Sequence, residues 1–206
     1  MPSKPLGRPR GKGVSKQRIL SIATKMFADR GYAALSIRDI AAASQLNIPS
    51  IYHFFGGKEN LYYSCCTAAF STIAAKLSAS LVAVLGPKAR IKHFTISLCE
   101  VLLENRDFRR LLLQEIIMRD ESRHFDELSM NFFLPEFRML VSELAALEGK
   151  QDAVEQAFSV YALTFGLVLL RQTFDVAVVD HAAASSPVRL AERVLGIVLP
   201  RQKWNS

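Results

Sequence analysis

The sequence has few of the residues that build a disulfide framework or a metal site. Its 206 residues include three cysteines and four histidines. Cys65 and Cys66 are adjacent, so their side chains would point about 100° apart on a helix, and no pair of cysteines has zinc-site spacing. The chain has no P-loop, no Gly-x-Ser-x-Gly and no dinucleotide fingerprint. We therefore predict that it is not an enzyme and has no catalytic residues, metal or cofactor.

Long apolar runs and strand-like alternation are also missing. Gln156 to Leu170 carries no charge, but these 15 residues are fewer than the roughly 20 that span a bilayer. No apolar segment follows the basic N-terminus, as it would in a secretory signal. We predict a cytoplasmic protein that does not bind membranes.

Glycine and proline are sparse after residue 13, and apolar side chains recur at helical spacing. The pattern predicts a first helix from near Ser15 to Gly31, and Pro135 predicts a kink or break near Leu134. The whole chain is predicted to be all-α. The later helices are expected at about 58 to 84, 88 to 104, 107 to 119, 123 to 147, 152 to 178 and 187 to 199.

Acidic residues are scarce in the first part of the chain. Residues 1–60 hold ten Lys or Arg against three Asp or Glu, whereas the other 146 residues hold sixteen of each. The whole formal charge of +7 therefore lies in the N-terminal segment. Such asymmetry is typical of a surface that neutralises nucleic-acid phosphates.

The segment SIRDIAAASQLNIPSIYHFFGGK, from Ser36 to Lys58, predicts two short helices joined by a tight turn. Ser36 and Asp39 can form a capping box, and Asn47 can cap the second helix. In that second helix, Ile51, Phe54 and Phe55 can face the core while other positions face outward. This is the pattern of a helix-turn-helix, although capped, alanine-rich helices also occur in other helical proteins.

The first 13 residues contain four positive charges, three prolines and three glycines, so we predict a flexible basic tail. The run from Gly7 to Lys12 is similar to short Gly-Arg-Pro hooks whose arginines enter a narrow minor groove. Arg8 and Arg10 are the candidates for that contact. The alternative is a basic tail that only increases solubility.

The motifs SIRDIA, IYHFF and GKENL together resemble the DNA-binding signature of the TetR family of transcriptional regulators. The resemblance covers roughly residues 15 to 62. It implies a DNA-binding domain at 14–60 and a helical ligand-binding and dimerisation domain at 61–206, with an operator, a small inducer and a homodimer as partners. It also implies DNA contacts through Ser36, Tyr52, His53 and Lys58, with Arg38 and Ser50 as further candidates. The chain departs from the family pattern at Gln45, where glycine is usual, and at Ile48 and Pro49.

The helices after residue 58 suggest both a dimer and a ligand pocket. The last two long helices are too apolar for one small domain to cover, and Ala162 and Gly166 would allow close contact between copies. A hydrophobic or aromatic inducer is expected in a central pocket. The candidate lining residues are Phe70, Leu102, Leu103, Leu113, Ile117, Phe133, Phe137, Tyr161 and Phe165.

The function predicted from the sequence is that of a DNA-binding regulator, a repressor that a small molecule releases from a palindromic operator. Two alternatives remain open. One is a DNA-binding architectural factor that responds to no ligand. The other is a helical enzyme or binding protein whose basic N-terminus is incidental.

Overall fold

The computed structural model describes residues 12–82, 85–118, 125–149, 151–173 and 186–199. In these ranges all regular elements are helices, numbered here α1 to α10 in chain order. They are α1 (Lys12–Arg30), α2 (Ile37–Ser44), α3 (Ile48–Phe55), α4 (Lys58–Val82), α5 (Pro87–Glu104), α6 (Arg106–Ile117), α7 (Phe125–Phe132), α8 (Leu134–Glu148), α9 (Ala153–Thr173) and α10 (Pro187–Val198).

The prediction of an all-α protein is confirmed, with two corrections to helix boundaries. Helix α1 begins at Lys12, not near Ser15, so its first turn takes in part of the expected tail. The helix expected at 123 to 147 is two helices, α7 and α8, that meet at Phe133. The predicted break near Leu134 is therefore confirmed. Pro135 has no amide to donate, and the first turn of α8 is where that loss costs nothing.

Helices α1, α2 and α3 form a small unit that packs on α4 and α6. Its centre contains Ile19, Phe27, Ile40 and Ile51, all fully buried. Gly31 ends α1 with φ 81°, a left-handed conformation that favours glycine, and its amide donates to the carbonyl of Phe27 at 2.9 Å. Because a unit of this size buries little surface alone, its packing on α4 and α6 supports it.

Helix α5 is central to the larger bundle, where it packs against α4, α8, α9 and α10. Its fully buried residues include Ile91, Phe94 and Leu102. One continuous set of buried side chains extends from this bundle into α1–α3. The two parts of the chain are thus joined by packing as well as by α4.

Helix α4 is long and apolar enough to cross a membrane, with mean hydropathy 1.4, and it alone meets that criterion among the described residues. In the fold it packs against α1, α5, α6 and α7. Leu61, Phe70 and Leu77 lie on its buried face, whereas Lys76 is exposed. Core helices of bundles commonly have this composition, since their apolar faces meet several neighbours.

Candidate nucleic-acid interface and ligand cavity

The start of α2 is fixed by the predicted capping box. The backbone N–H and the hydroxyl of Ser36 donate to Asp39 Oδ2 at 2.9 and 2.5 Å, and Ser36 Oγ accepts from the amide of Asp39 at 3.2 Å. These bonds, led by the one from the Ser36 side chain, lower the pKa of the Asp39 carboxyl. Since the Ser36 hydroxyl proton is already donated to Asp39, the backbone amides of Ile37 and Arg38 are the donors best placed for a phosphate at this helix end.

The turn between α2 and α3 contains the one non-glycine residue with positive φ among the described residues. Gln45 has φ 55° and ψ 39°, and its amide donates to the carbonyl of Ala42 at 3.2 Å. This conformation costs a residue with a Cβ roughly 1 kcal/mol. The Gln45 Oε1 atom accepts from the Arg18 guanidinium at 3.2 Å, which ties the turn to α1. Glycine could not make that bond.

Helix α3 presents a polar and aromatic face outward. Asn47 caps it, because Asn47 Oδ1 accepts from the amide and the hydroxyl of Ser50 at 2.9 and 2.6 Å. Ile51 and Phe55 are buried, as expected, whereas Phe54, also expected in the core, is only half-buried. This buried side anchors α3, and its outer side displays Tyr52 and His53, which are exposed.

Lys58, the first residue of α4, lies against an aromatic ring. Its Nζ is 4.3 Å from the ring centroid of Tyr32, and that ring contacts Tyr62 at 5.1 Å and Phe27 at 6.2 Å between centroids. A cation over an aromatic face gains about 0.5–1 kcal/mol at an exposed site. The Lys58 ammonium is therefore held against a ring that packs on two buried aromatic side chains.

A second cation, Lys16 of α1, lies 5.6 Å from the ring centroid of Phe55 at the end of α3. Neither cation–aromatic pair was recognised in the sequence. The one signal for the first pair was the aromatic residue directly after Gly31.

The predicted DNA-contact residues lie on the consecutive helices α2, α3 and α4, except Ser36, which is the residue that caps α2. Ser36 and Arg38 are at the start of α2; Ser50, Tyr52 and His53 are on α3; and Lys58 begins α4. Arg38, Tyr52 and His53 are exposed. Arg8 and Arg10 lie outside the described residues.

Helix α6 connects this unit to the bundle through polar contacts at the end of α1. Arg106 and Arg110 both contact Asp29 Oδ1, at 3.1 and 2.7 Å. The side-chain amide of Gln114 donates to the carbonyl of Phe27 at 2.9 Å. One side of α6 thus contacts the last turn of α1 through these ion pairs and this hydrogen bond.

The opposite side of α6 borders a cavity of about 450 Å³. The cavity lies between α6, α7, α8 and α9, and its wall is almost entirely apolar and aromatic. Ile116, Met130 and Phe158 are about half exposed at its edge, so it opens to solvent there. The lining residues are Leu112, Ile116, Ser129, Met130, Phe133, Leu134, Phe137, Phe158, Tyr161 and Phe165.

The structure brings together four of the nine predicted pocket residues, Phe133, Phe137, Tyr161 and Phe165. Six further lining residues are not among those nine, because such side chains at helical spacing do not differ in sequence from core or surface residues. Those six are Leu112, Ile116, Ser129, Met130, Leu134 and Phe158.

The other five predicted residues lie outside this cavity. Leu102 and Leu113 border a smaller cleft beside it, and Phe70 packs in the core 5.3 Å from Phe108, between ring centroids. Leu103 is half-buried, and Ile117 is 80% exposed.

The hydroxyl of Tyr161, whose ring lines the cavity, and Oε2 of Glu136 in α8 are buried without a hydrogen-bond partner among the described residues. Oε1 of Glu136 accepts from the Ser78 hydroxyl at 2.7 Å. Burial, and then the charge of Glu136, raise the pKa of Tyr161 above its ordinary value.

The described residues contain no group of three or more His, Cys, Asp or Glu placed to hold a metal. Cys65, Cys66 and Cys99 are buried. Burial raises the pKa of Cys65 and of Cys99 to about 12 and also raises that of Cys66, so these thiols are poor nucleophiles.

Comparison with known proteins identifies the N-terminal unit. Residues 19–65 match the family model described as bacterial regulatory proteins, tetR family. The chain is 26% identical over 92 residues to the HTH-type transcriptional regulator HbdR of Aromatoleum sp. (strain CIB), across 45% of this chain and 40% of HbdR. It is 47% identical over 53 residues to the HTH-type transcriptional repressor Rv3405c of Mycobacterium tuberculosis, across 26% of this chain and 28% of Rv3405c. The matches thus span less than half the length of these relatives.

Solved structures share the fold along nearly the whole chain. A transcriptional regulator from Pseudomonas aeruginosa PAO1 superposes with a TM-score of 0.74 at 18% identity, covering 92% of this chain and 93% of the other. AibR, solved in complex with isovaleryl coenzyme A and operator DNA, superposes with a TM-score of 0.64 at 15% identity, covering 89% and 97%. The N-terminal residues 19–65 therefore match the TetR family, and the chain as a whole shares the fold of these solved structures.

Proposed function

We propose that this protein is a transcriptional repressor that binds a palindromic operator as a homodimer and releases it when a small apolar or aromatic molecule fills the cavity. The observation that carries the proposal is the outer face of α3. Tyr52 and His53 are exposed there, on a short helix whose opposite side is anchored by Ile51 and Phe55.

In the proposed complex, α3 lies in the major groove, where Tyr52 and His53 meet base edges and nearby phosphates. Lys58 and the amino end of α2 meet the DNA backbone on either side of the groove, because ammonium groups and helix N-termini both bind phosphate. The positive charge concentrated in residues 1–60 supports this orientation.

The apolar surface of the last two helices supports a homodimer. Val154 and Phe158 of α9 and Val188 and Ile197 of α10 are between 42% and 68% exposed. A four-helix interface of α9 and α10 from two subunits would bury these side chains and pair two α3 helices on a two-fold operator. The exposed Ala162 leaves room for the partner backbone.

The contacts of α6 support a route from the cavity to the DNA. Leu112 and Ile116 of α6 line the cavity, while Arg110 and Gln114 of the same helix hold the end of α1. A ligand that displaces α6, or α4 beside it, would change the spacing of the two α3 helices. A coupling free energy of about 1–3 kcal/mol would weaken operator binding about 5- to 150-fold.

The comparisons support both halves of the proposal. Rv3405c is named a repressor, and AibR was solved with an acyl coenzyme A and operator DNA bound to the same fold. A DNA-binding regulator of this class would act in the cytoplasm, where bacterial DNA lies.

The proposal is tested by selecting bound duplexes from a library of genomic fragments with the purified full-length protein. We expect enrichment of a palindromic sequence, and we expect Tyr52→Ala to abolish the enrichment. Lys76→Ala, which removes a charge from the far end of α4, is the matched control and should enrich the same sequence. Recovery of unrelated fragments by the wild type would contradict the proposal.

A further inference from the structure

Arg18 of α1 lies beside the turn that leads into α3. Its Nη2 atom donates to Gln45 Oε1 at 3.2 Å, and Gln45 precedes Asn47, the residue that caps α3. Both side chains of this pair are exposed. The Arg18 guanidinium is therefore held next to the amino end of the helix that we expect to enter the major groove.

The backbone at Gln45 is unfavourable for a residue with a side chain. Its φ of 55° is left-handed, a conformation that glycine adopts without the steric cost of a Cβ. Strained positions of this kind are concentrated at binding and catalytic sites, where the side chain has a role that offsets the strain. The contact that the structure gives the Gln45 side chain is its hydrogen bond to Arg18.

The charge of Arg18 is not neutralised by an acidic residue in the part of the chain that the structure describes. The ion pairs of α1 there are made by Asp29, which contacts Arg106 and Arg110. The bond to Gln45 uses one of the five guanidinium N–H groups, which leaves donors for further acceptors. The planar fork of a guanidinium matches two oxygens of a phosphate group.

The length of α3 relates Arg18 to Lys58. The helix has eight residues, so at about 1.5 Å per residue it spans about 12 Å, and the major groove is also about 12 Å wide. Arg18 is held at the amino end of α3, whereas Lys58 follows its carboxyl end. Both ends of a helix of this length lie near a phosphate strand when the helix is in the groove. The two cations are therefore placed for phosphates at opposite ends of α3.

We propose that Arg18 binds a DNA phosphate beside the amino end of α3, and that Gln45 is the positioning residue that holds Arg18 there. The inference rests on the proposed DNA-binding function and adds a contact from α1 to that interface. A phosphate contact carries no sequence information itself, but it fixes the position and orientation of α3 in the groove.

The test is the salt dependence of DNA binding by the full-length protein and by Arg18→Gln, measured by fluorescence anisotropy. Two labelled duplexes are used, one of random sequence and one selected from genomic fragments by the wild type. Loss of one phosphate contact should lower the slope of log K against log salt concentration by about 0.9 for each bound subunit, on both duplexes. The affinity should fall at least about tenfold, since a charged hydrogen bond is lost.

Lys76→Gln is the matched control, because it removes an exposed charge from the far end of α4. It should keep the wild-type slope and affinity. An unchanged slope in Arg18→Gln would overturn the proposal.

Two further variants separate the charge of Arg18 from its position. Arg18→Lys keeps the charge, so most of the salt slope should be retained. Gln45→Gly removes the side chain that holds Arg18 and also relieves the left-handed backbone. We expect it to weaken DNA binding about two- to tenfold, because Arg18 then loses side-chain freedom on binding. Its midpoint of urea unfolding should not fall, since glycine suits this φ.

This combination distinguishes a positioning residue from one that only stabilises the turn. Unchanged DNA affinity in Gln45→Gly would overturn the role of Gln45. Circular dichroism verifies that each variant is folded, and the exposed position of Arg18 makes Arg18→Gln a mild change to the fold.

The two proposals also fail separately. If Arg18→Gln lowers the slope on random DNA but the wild type selects no genomic sequence, the repressor function is wrong and the Arg18 contact stands. If a palindromic operator is selected and the slope is unchanged in Arg18→Gln, only the Arg18 contact is wrong. If the wild type binds neither duplex, both proposals are wrong.

Discussion

Replacing Lys58 with alanine removes the cation that we expect to meet a DNA phosphate. In the free protein its Nζ lies 4.3 Å from the centroid of the Tyr32 ring, so the position of the ammonium group is already restricted and less side-chain entropy is lost on binding. Each phosphate that a protein neutralises contributes about 0.9 to the slope of log K against log salt concentration. A dimer with Lys58→Ala in both subunits loses two such contacts, and its slope should fall by about 1.8.

The affinity should fall as well. A hydrogen bond to a charged group contributes about 1.5–3 kcal/mol, which is more than tenfold in affinity for each subunit. The measurement is fluorescence anisotropy with a labelled operator duplex at several salt concentrations. Lys76→Ala removes the same charge from the same helix, about 27 Å away at 1.5 Å per residue, and should leave the slope unchanged.

Tyr32→Leu tests the role of the ring separately. It keeps the Lys58 charge and removes the aromatic face, so we expect an affinity loss of about 0.5–1 kcal/mol with the salt slope retained. An unchanged slope in Lys58→Ala would refute the phosphate contact. A change in the dimer's sedimentation would instead trace the effect to folding or assembly.

Four further outcomes are expected. Ser36→Ala should cost about 1 kcal/mol in urea unfolding, because it removes the cap of α2. Folding lowers the pKa of Asp39. The stability that its carboxylate contributes is therefore complete above the pKa of the unfolded state and is lost as the pH falls through the pKa of the folded state. Asp39→Asn should remove this loss of unfolding free energy at acidic pH. Asp29→Asn breaks both ion pairs between α1 and α6, so inducer should lower operator affinity less in this variant than in the wild type. The free energy of unfolding should fall by under about 2 kcal/mol. Deleting residues 1–13 should flatten the salt dependence of operator binding, and an unchanged slope would show that the tail makes no phosphate contact.

Local features could be predicted from the sequence because a few neighbouring residues determine them. The Ser36–Asp39 capping box, the Asn47 cap and the break before Pro135 each depend on side chains within three or four positions. The left-handed conformation at Gln45 falls at the position where the resemblance implied that glycine is usual.

Contacts between distant segments could not be predicted in the same way. Tyr32 and Lys58 meet only because α1 and α4 pack together, and Asp29 meets Arg110 only because α6 crosses the end of α1. The cavity likewise depends on how four helices leave a gap. Phenylalanine at helical spacing fills a core at Phe70 and lines the cavity at other positions, with no difference in the local sequence.

The most direct test of the central claim is the anisotropy of a labelled duplex from the region flanking the protein's own gene, titrated with the full-length protein in excess random-sequence competitor. We predict tight binding that survives the competitor and is lost in Tyr52→Ala, whose circular dichroism should match the wild type. Binding that the competitor removes entirely, for this duplex and for every genomic fragment selected with the protein, would contradict sequence-specific recognition by α3.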